Sequence, residues 1–139
     1  MTTNCLCGAV SVTIVTKPDF IHDCNCSLCR KAGAAWGYFP SNSVTIAGNT
    51  TSFVRRDKKA PIVEIHSCRH CAATTHFVMT KSFKEQYKSV DQVGINMKLF
   101  DPDGLEDVEV RFPNGKDWNG EGPFGYRRTT MTISDSLPW

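Results

Sequence analysis

Apolar residues recur at every second position in short runs along this chain, and turn-forming residues separate the runs. Val10, Val12 and Ile14 alternate with Ser11, Thr13 and Val15 directly after Cys7-Gly8. Trp36 and Tyr38 alternate before Pro40; Val44 and Ile46 lead into Gly48-Asn49, and Phe53-Val54 follows. Val63 and Ile65 flank Glu64 and run into His66-Ser67-Cys68, while Thr75, Phe77 and Met79 alternate just beyond Cys71. Val93, Ile95, Met97 and Leu99 share one face up to the turn Asp101-Pro102-Asp103-Gly104, and Val108, Val110 and Phe112 precede Pro113-Asn114-Gly115. A period of two bounded by Gly, Pro, Asn and Asp predicts strands. The helical candidates are short: Ser27 to Ala32 and Lys81 to Tyr87. The pattern therefore predicts a mainly β protein of several short antiparallel sheets.

With 139 residues, no repeat, no low-complexity tract and no linker, the chain is expected to be a single small domain over residues 1–139. Lys and Arg number 16 against 14 Asp and Glu, and the net charge of +2 argues against nucleic acid or an anionic membrane as partner. No stretch approaches the ~20 apolar residues of a membrane span. Met1-Thr2-Thr3-Asn4 lacks the charged and apolar regions of a secretory signal, so a cytoplasmic location among reduced thiols is expected. The one basic run, Arg55-Arg56-Asp57-Lys58-Lys59, reads as a solvated turn between strands, or else as a docking patch for an acidic partner.

Cysteine changes the picture more than charge does. Seven cysteines fall into three clusters: Cys5-Leu6-Cys7, Cys24-Asn25-Cys26-Ser27-Leu28-Cys29 and Cys68-Arg69-His70-Cys71. An odd number cannot all pair as disulfides, and clustered thiols in a reduced compartment point to metal. Thiolates suit zinc, which takes four of them in a tetrahedron. A C-x-C and a C-x-x-C can close one such site from Cys5, Cys7, Cys68 and Cys71, which would fasten the first strand to a middle hairpin. Cys24, Cys26 and Cys29 then remain, and three ligands with an open fourth position are the usual catalytic arrangement. Spacing leaves other partitions open: Cys5, Cys7, Cys24 and Cys26 could share one ion, or His22, His66 or His70 could close the second site. A redox-active C-x-x-C is a further alternative. His76 lies in a strand pattern and reads as structural. Arg30 and Lys31, next to Cys29, are candidates to hold substrate carboxylates or are ordinary surface charge; Trp36 is a pocket wall or a core residue.

The clusters, in this order, resemble the glutathione-dependent formaldehyde-activating enzyme family, the CENP-V/GFA domain. Cys5-Leu6-Cys7-Gly8-Ala9-Val10 resembles its opening C-x-C-G-A-V. Cys24 to Lys31 followed by Gly33-Ala34 and Trp36 resembles its central C-x-C-S-x-C-R block, and Cys68 to Cys71 stands at its C-x-x-C. Val93-Gly94-Ile95-Asn96 and Trp118 resemble its C-terminal signature. The resemblance implies a β-tent fold, shared with a small zinc-binding accessory factor of Rab GTPases. It implies two zinc ions, one structural on Cys5, Cys7, Cys68 and Cys71, one catalytic on Cys24, Cys26 and Cys29. The activity it implies is a carbon–sulfur lyase reaction, formation of S-hydroxymethylglutathione from glutathione and formaldehyde. A binding or scaffold module with two structural zincs is the competing expectation, and either a monomer or a homodimer is compatible with the pattern. The chain departs from the family at Ser67, where an aromatic residue is usual, and at Ala72, where glycine would permit a positive φ.

Overall fold

The computed structural model describes residues 1–139 as two sheets with little helix. The smaller sheet is antiparallel, with order β1 (Thr2–Asn4), β2 (Ser11–Ile14), β5 (Val44–Ala47). The larger takes β3 (Phe20–His22), β4 (Trp36–Phe39), β6 (Thr50–Val54), β7 (Val63–Cys68), β8 (Thr74–Met79), β9 (Val93–Asn96), β10 (Glu109–Arg111) and β11 (Met131–Thr132). Its order is β11-β10-β3-β4-β9-β8-β7-β6. Two single helices, α1 (Ser27–Ala32) and α2 (Lys81–Gln86), lie where the sequence predicts them.

The alternating runs do what their period requires. Val12 and Ile14 of β2 turn one face inward and meet Ile21, Phe39, Ile95 and Val110 of the large sheet in a core of 14 buried residues, so the two sheets are joined by apolar packing. Trp36 and Tyr38 point to the opposite face of β4, as alternation demands. There they join Ile65 and Phe77 in a second cluster, into which Cys29 is also packed. Register explains how that cluster closes. Ile65, Phe77, Gly94 and Tyr38 fall in one cross-strand row. A Cβ on Gly94 would collide with the Phe77 ring. Glycine at this point lets Phe77 lie across the sheet and meet Trp36 edge-on at 4.9 Å and Tyr38 at 6.2 Å.

The mainly β class holds, with three differences from the pattern. The large sheet contains one parallel pair, β3 with β10, in an otherwise antiparallel array. The run from Val93 to Leu99 is not one strand: Asn96 ends it by accepting from Lys98 N and Ala35 N and donating to Thr74 O, and a 3-10 turn follows at Met97–Leu99. The strands β1, β3 and β11 were not visible in the alternation, being two to three residues long. The basic run is an exposed loop for most of its length. Arg55 is the exception, its side chain only 17% exposed.

One buried pair gives the fold a pH dependence. His66 of β7 and His76 of β8 are registered opposite each other and stack at 4.4 Å with a 15° interplanar angle. His76 Nδ1 meets Thr75 Oγ1, and His66 Nδ1 meets Thr50 Oγ1. Burial first, and the neighbouring His66 second, push His76 down to about 4 from 6.5. The unfolded chain therefore takes up a proton between pH 6.5 and 4 that folded His76 refuses, and stability falls as pH falls through that window. Relative to wild type, His76→Gln is expected to reduce this loss by as much as about 3 kcal/mol in denaturant titrations run at pH 7 and pH 4.5. Identical losses in the two proteins would disprove it.

Candidate metal centres

Cys5 and Cys7 follow β1 on a tight turn in which Gly8 N donates to Cys5 O and Cys5 N to Val10 O. Cys68 ends β7, and Cys71 lies in the knuckle that returns the chain to β8, closed by Ala72 N donating to Cys68 O at 2.9 Å. The two turns meet. All four Sγ atoms lie within 4.8 Å of one another, with Cys5–Cys7 at 3.6 Å and Cys7–Cys68 at 3.7 Å. The sulfur–sulfur edge of a tetrahedron with ~2.3 Å metal–sulfur bonds is about 3.8 Å, so the spacing suits a four-thiolate ion such as zinc. Backbone N–H groups already point at the sulfurs: Val10 N at Cys5 Sγ (3.2 Å) and His70 N at Cys68 Sγ (3.4 Å). Cys5 and Cys68 are buried against Val10, and the group joins the small sheet at β1 to the large sheet at the β7–β8 hairpin.

The second group is Cys24, Cys26 and Cys29, and no histidine belongs to it. Local structure aims these thiols. Cys26 is the N-cap of α1: its Sγ accepts from Cys29 N at 3.4 Å, while Gly33 closes the helix in the left-handed conformation at φ 61°. Cys26 Sγ and Cys29 Sγ are 3.4 Å apart, and Cys24 Sγ accepts from Cys26 N. Trp36 Nε1 donates to Cys29 Sγ at 3.3 Å, so this tryptophan is both a core residue, 3% exposed, and a wall of the site. The three thiols share protons. Hydrogen bonds from Cys24 and then Cys29 pull Cys26 down to about 2, while Cys24 and then Cys26, with burial, push Cys29 up. Three sulfurs within 4.8 Å of one another make a donor set that one cation could share.

The surroundings of this centre were largely hidden from the sequence. Tyr38 packs against the cluster that holds Cys29, and its hydroxyl meets His22 Nδ1 at 3.0 Å. Burial, and then the charges of Cys29, Cys24 and Cys26, raise the Tyr38 phenol above its usual value, which keeps it neutral. His22 is thus a partner of tyrosine, held down to about 4 by burial and by Arg111. A strap from Pro113 to Lys116 folds back onto the cysteine loop through Asn25 Nδ2 to Asn114 Oδ1 (2.8 Å) and Lys116 N to Asn25 Oδ1 (2.9 Å). Gly115 approaches so closely that a Cβ would meet Cys24 Sγ at 2.5 Å and Cys26 Cβ at 3.0 Å. Arg30 is exposed and spends its Nε on Asn25 O. Arg55 reaches the same loop through Ser27 Oγ at 3.0 Å. Asn25, Asn114 and Gly115 carry no spacing signal, since their role comes from segments some 90 residues apart in the chain.

These features define a small mainly β protein with two thiol groups able to hold metal ions. The family model of the glutathione-dependent formaldehyde-activating enzyme matches residues 1–109, and the chain belongs to that family. Among solved structures, a crystal structure of a Rhodobacter sphaeroides protein is similar at TM-score 0.56 and 22% identity, covering 78% of this chain and 97% of the other, which supports the fold. Among curated proteins none matches the sequence. No helix is long and apolar enough to cross a membrane.

The departure at residue 72 has an energetic consequence. Ala72 occupies the left-handed region at φ 58°, where an L side chain costs about 1 kcal/mol or more. Ala72→Gly relieves that strain at the expense of some unfolded-state entropy, and is expected to stabilise the metal-loaded protein by about 0.5–1 kcal/mol in thermal or denaturant unfolding. Destabilisation by the substitution would refute it.

Proposed function

We propose that this chain is a zinc-dependent enzyme of the carbon–sulfur lyase type that joins a small thiol to an aldehyde, with glutathione and formaldehyde as the pair its family description suggests. The observation that carries this reading is the contrast between the two thiol groups: four converging sulfurs at one, three at the other. Cys5, Cys7, Cys68 and Cys71 would hold a structural ion, and Cys24, Cys26 and Cys29 a second one with a coordination position left for substrate. When bound there, zinc supplies acidification of a thiol at neutral pH. The reaction joins the thiol sulfur to the aldehyde carbon and leaves the thiol's proton on the former carbonyl oxygen.

The chain's own residues have definable parts in this. Trp36 fixes Cys29 Sγ through its indole N–H, so the three sulfurs keep one orientation. The aromatic cluster of Trp36, Phe77 and Tyr38 keeps water from the inner side of the centre, which strengthens electrostatic contacts there. Tyr38 remains a neutral phenol, and with His22 donating its Nδ1–H to the phenol oxygen the Tyr38 O–H would be left for an oxygen gaining negative charge. The strap at Asn114 and Gly115 closes over Cys24 and Cys26 through Asn25. A cytoplasmic setting, where glutathione is plentiful and thiols stay reduced, fits this chemistry.

Cys26→Ser tests the reading, because serine caps α1 as well as cysteine does and the fold should survive. Native mass spectrometry of the purified wild type is expected to show two zincs and a glutathione adduct. The variant should keep one zinc and lose the adduct. Acceleration of thiol–aldehyde condensation above the spontaneous rate should drop more than about 100-fold in the variant. Undiminished acceleration would overturn the assignment, and two zincs indifferent to thiols would favour a structural or scaffold role.

A further inference from the structure

Resting on that reading, we propose that Arg55 anchors a carboxylate of the substrate at the Cys24–Cys29 centre, which makes the site selective for small thiols that carry a carboxylate. Arg55 follows β6 and opens the exposed loop to β7, yet its side chain turns inward and is only 17% exposed. Nη2 donates to Ser27 Oγ at 3.0 Å, and Ser27 stands in the chain directly after Cys26. The guanidinium is thereby tied to the loop that carries the three thiols, at the residue next to Cys26. Three clustered thiols create a local demand for positive charge, and Arg55, held charged first by Asp57, also feels Cys26 and Cys29.

What Arg55 does with the rest of its donors is informative. Nε donates to Asp57 Oδ1 at 2.7 Å and Nη2 to Asp57 Oδ2 at 2.6 Å, the two-pronged geometry with which arginine recognises carboxylates. Asp57 itself is 64% exposed on the loop, and an ion pair so open to water contributes little net stability. The fork is therefore preformed around a carboxylate that solvent can readily replace, and a substrate carboxylate can take that place without reorganising the guanidinium. The other arginines near the centre are engaged differently. Arg30 bonds a backbone carbonyl from an exposed position, and Arg127 holds Asp23 through its carbonyl and carboxylate. Arg111 stacks on Phe20 and pairs with Glu109. Of these cations, Arg55 alone combines a side-chain bond to the cysteine loop with an exchangeable carboxylate partner.

The test compares binding of glutathione and of its diethyl ester, which keeps the thiol and the amine but caps both carboxylates. Calorimetry on the zinc-loaded full chain is expected to give a wild-type affinity ratio of about tenfold or more in favour of the free acid. Arg55→Gln should bring that ratio near one. Asp57→Asn, a change at an exposed position that empties the fork, should raise it a few-fold. Lys59→Gln, which removes a positive charge from the same loop, should leave it as in wild type. A wild-type ratio of one, or an Arg55→Gln ratio equal to wild type, overturns the role of Arg55 while leaving the thiol-binding reading in place. Failure of the wild type to bind either compound overturns both.

Discussion

Convergence of cysteine sulfurs from distant parts of the chain is the constraint on which the rest of this structure depends. Four of them meet where the end of β1 touches the β7–β8 hairpin, and sulfurs this close cannot all carry charge without a cation among them. The strands are two to six residues long and the only α-helices have six residues each. Sheets of that size bury little surface individually. A cross-link between the small sheet and the large one does for them what a larger core does in a larger protein. The proposed structural ion would thus belong to the architecture as much as Val12 or Ile95 does.

The second thiol group depends on the large sheet. Cys29 is packed into the apolar cluster on one face, opposite the face that meets the small sheet. Its position follows from a row of cross-strand neighbours in which a glycine, Gly94, lets a phenylalanine lie flat enough to reach Trp36 and Tyr38. Cys26 couples the chemistry to the helix, because the sulfur that would bind metal also caps α1. Orientation of the thiols is consequently set by the same contacts that hold the fold. The residues free to specialise are those around the rim: Arg55, Asn114 and the strap, and the Tyr38–His22 pair.

Much of this was legible from the chain alone. Alternation of apolar positions located the strands that bury a face, because burial on one side of a pleated strand imposes a period of two. The cysteine clusters announced themselves because two ligands of one ion must lie within a few residues when they come from one turn. Short strands such as β3 and β11 were invisible, since two or three residues do not make a period. Ala72 was marked as a departure from its family's glycine, and its left-handed backbone accounts for why glycine is usual there.

Sequence by itself determined the β class, the family and the sulfur donors, all of which are encoded in local spacing. Tertiary structure chose, among the groupings that spacing left open, the one the family resemblance implies, and it alone decided that no histidine joins the three-thiol group and that Arg55 turns inward while Arg30 stays exposed. The reason is physical. A donor's identity is a property of its own position, whereas its neighbours are fixed by strand register and by which loops the sheets bring together. Ser27 and Arg55 are 28 positions apart, and Asn25 and Asn114 are 89. Contacts of that range are written by the packing of the two sheets and by the parallel pairing of β3 with β10, and neither leaves a mark on the spacing of residues along the chain.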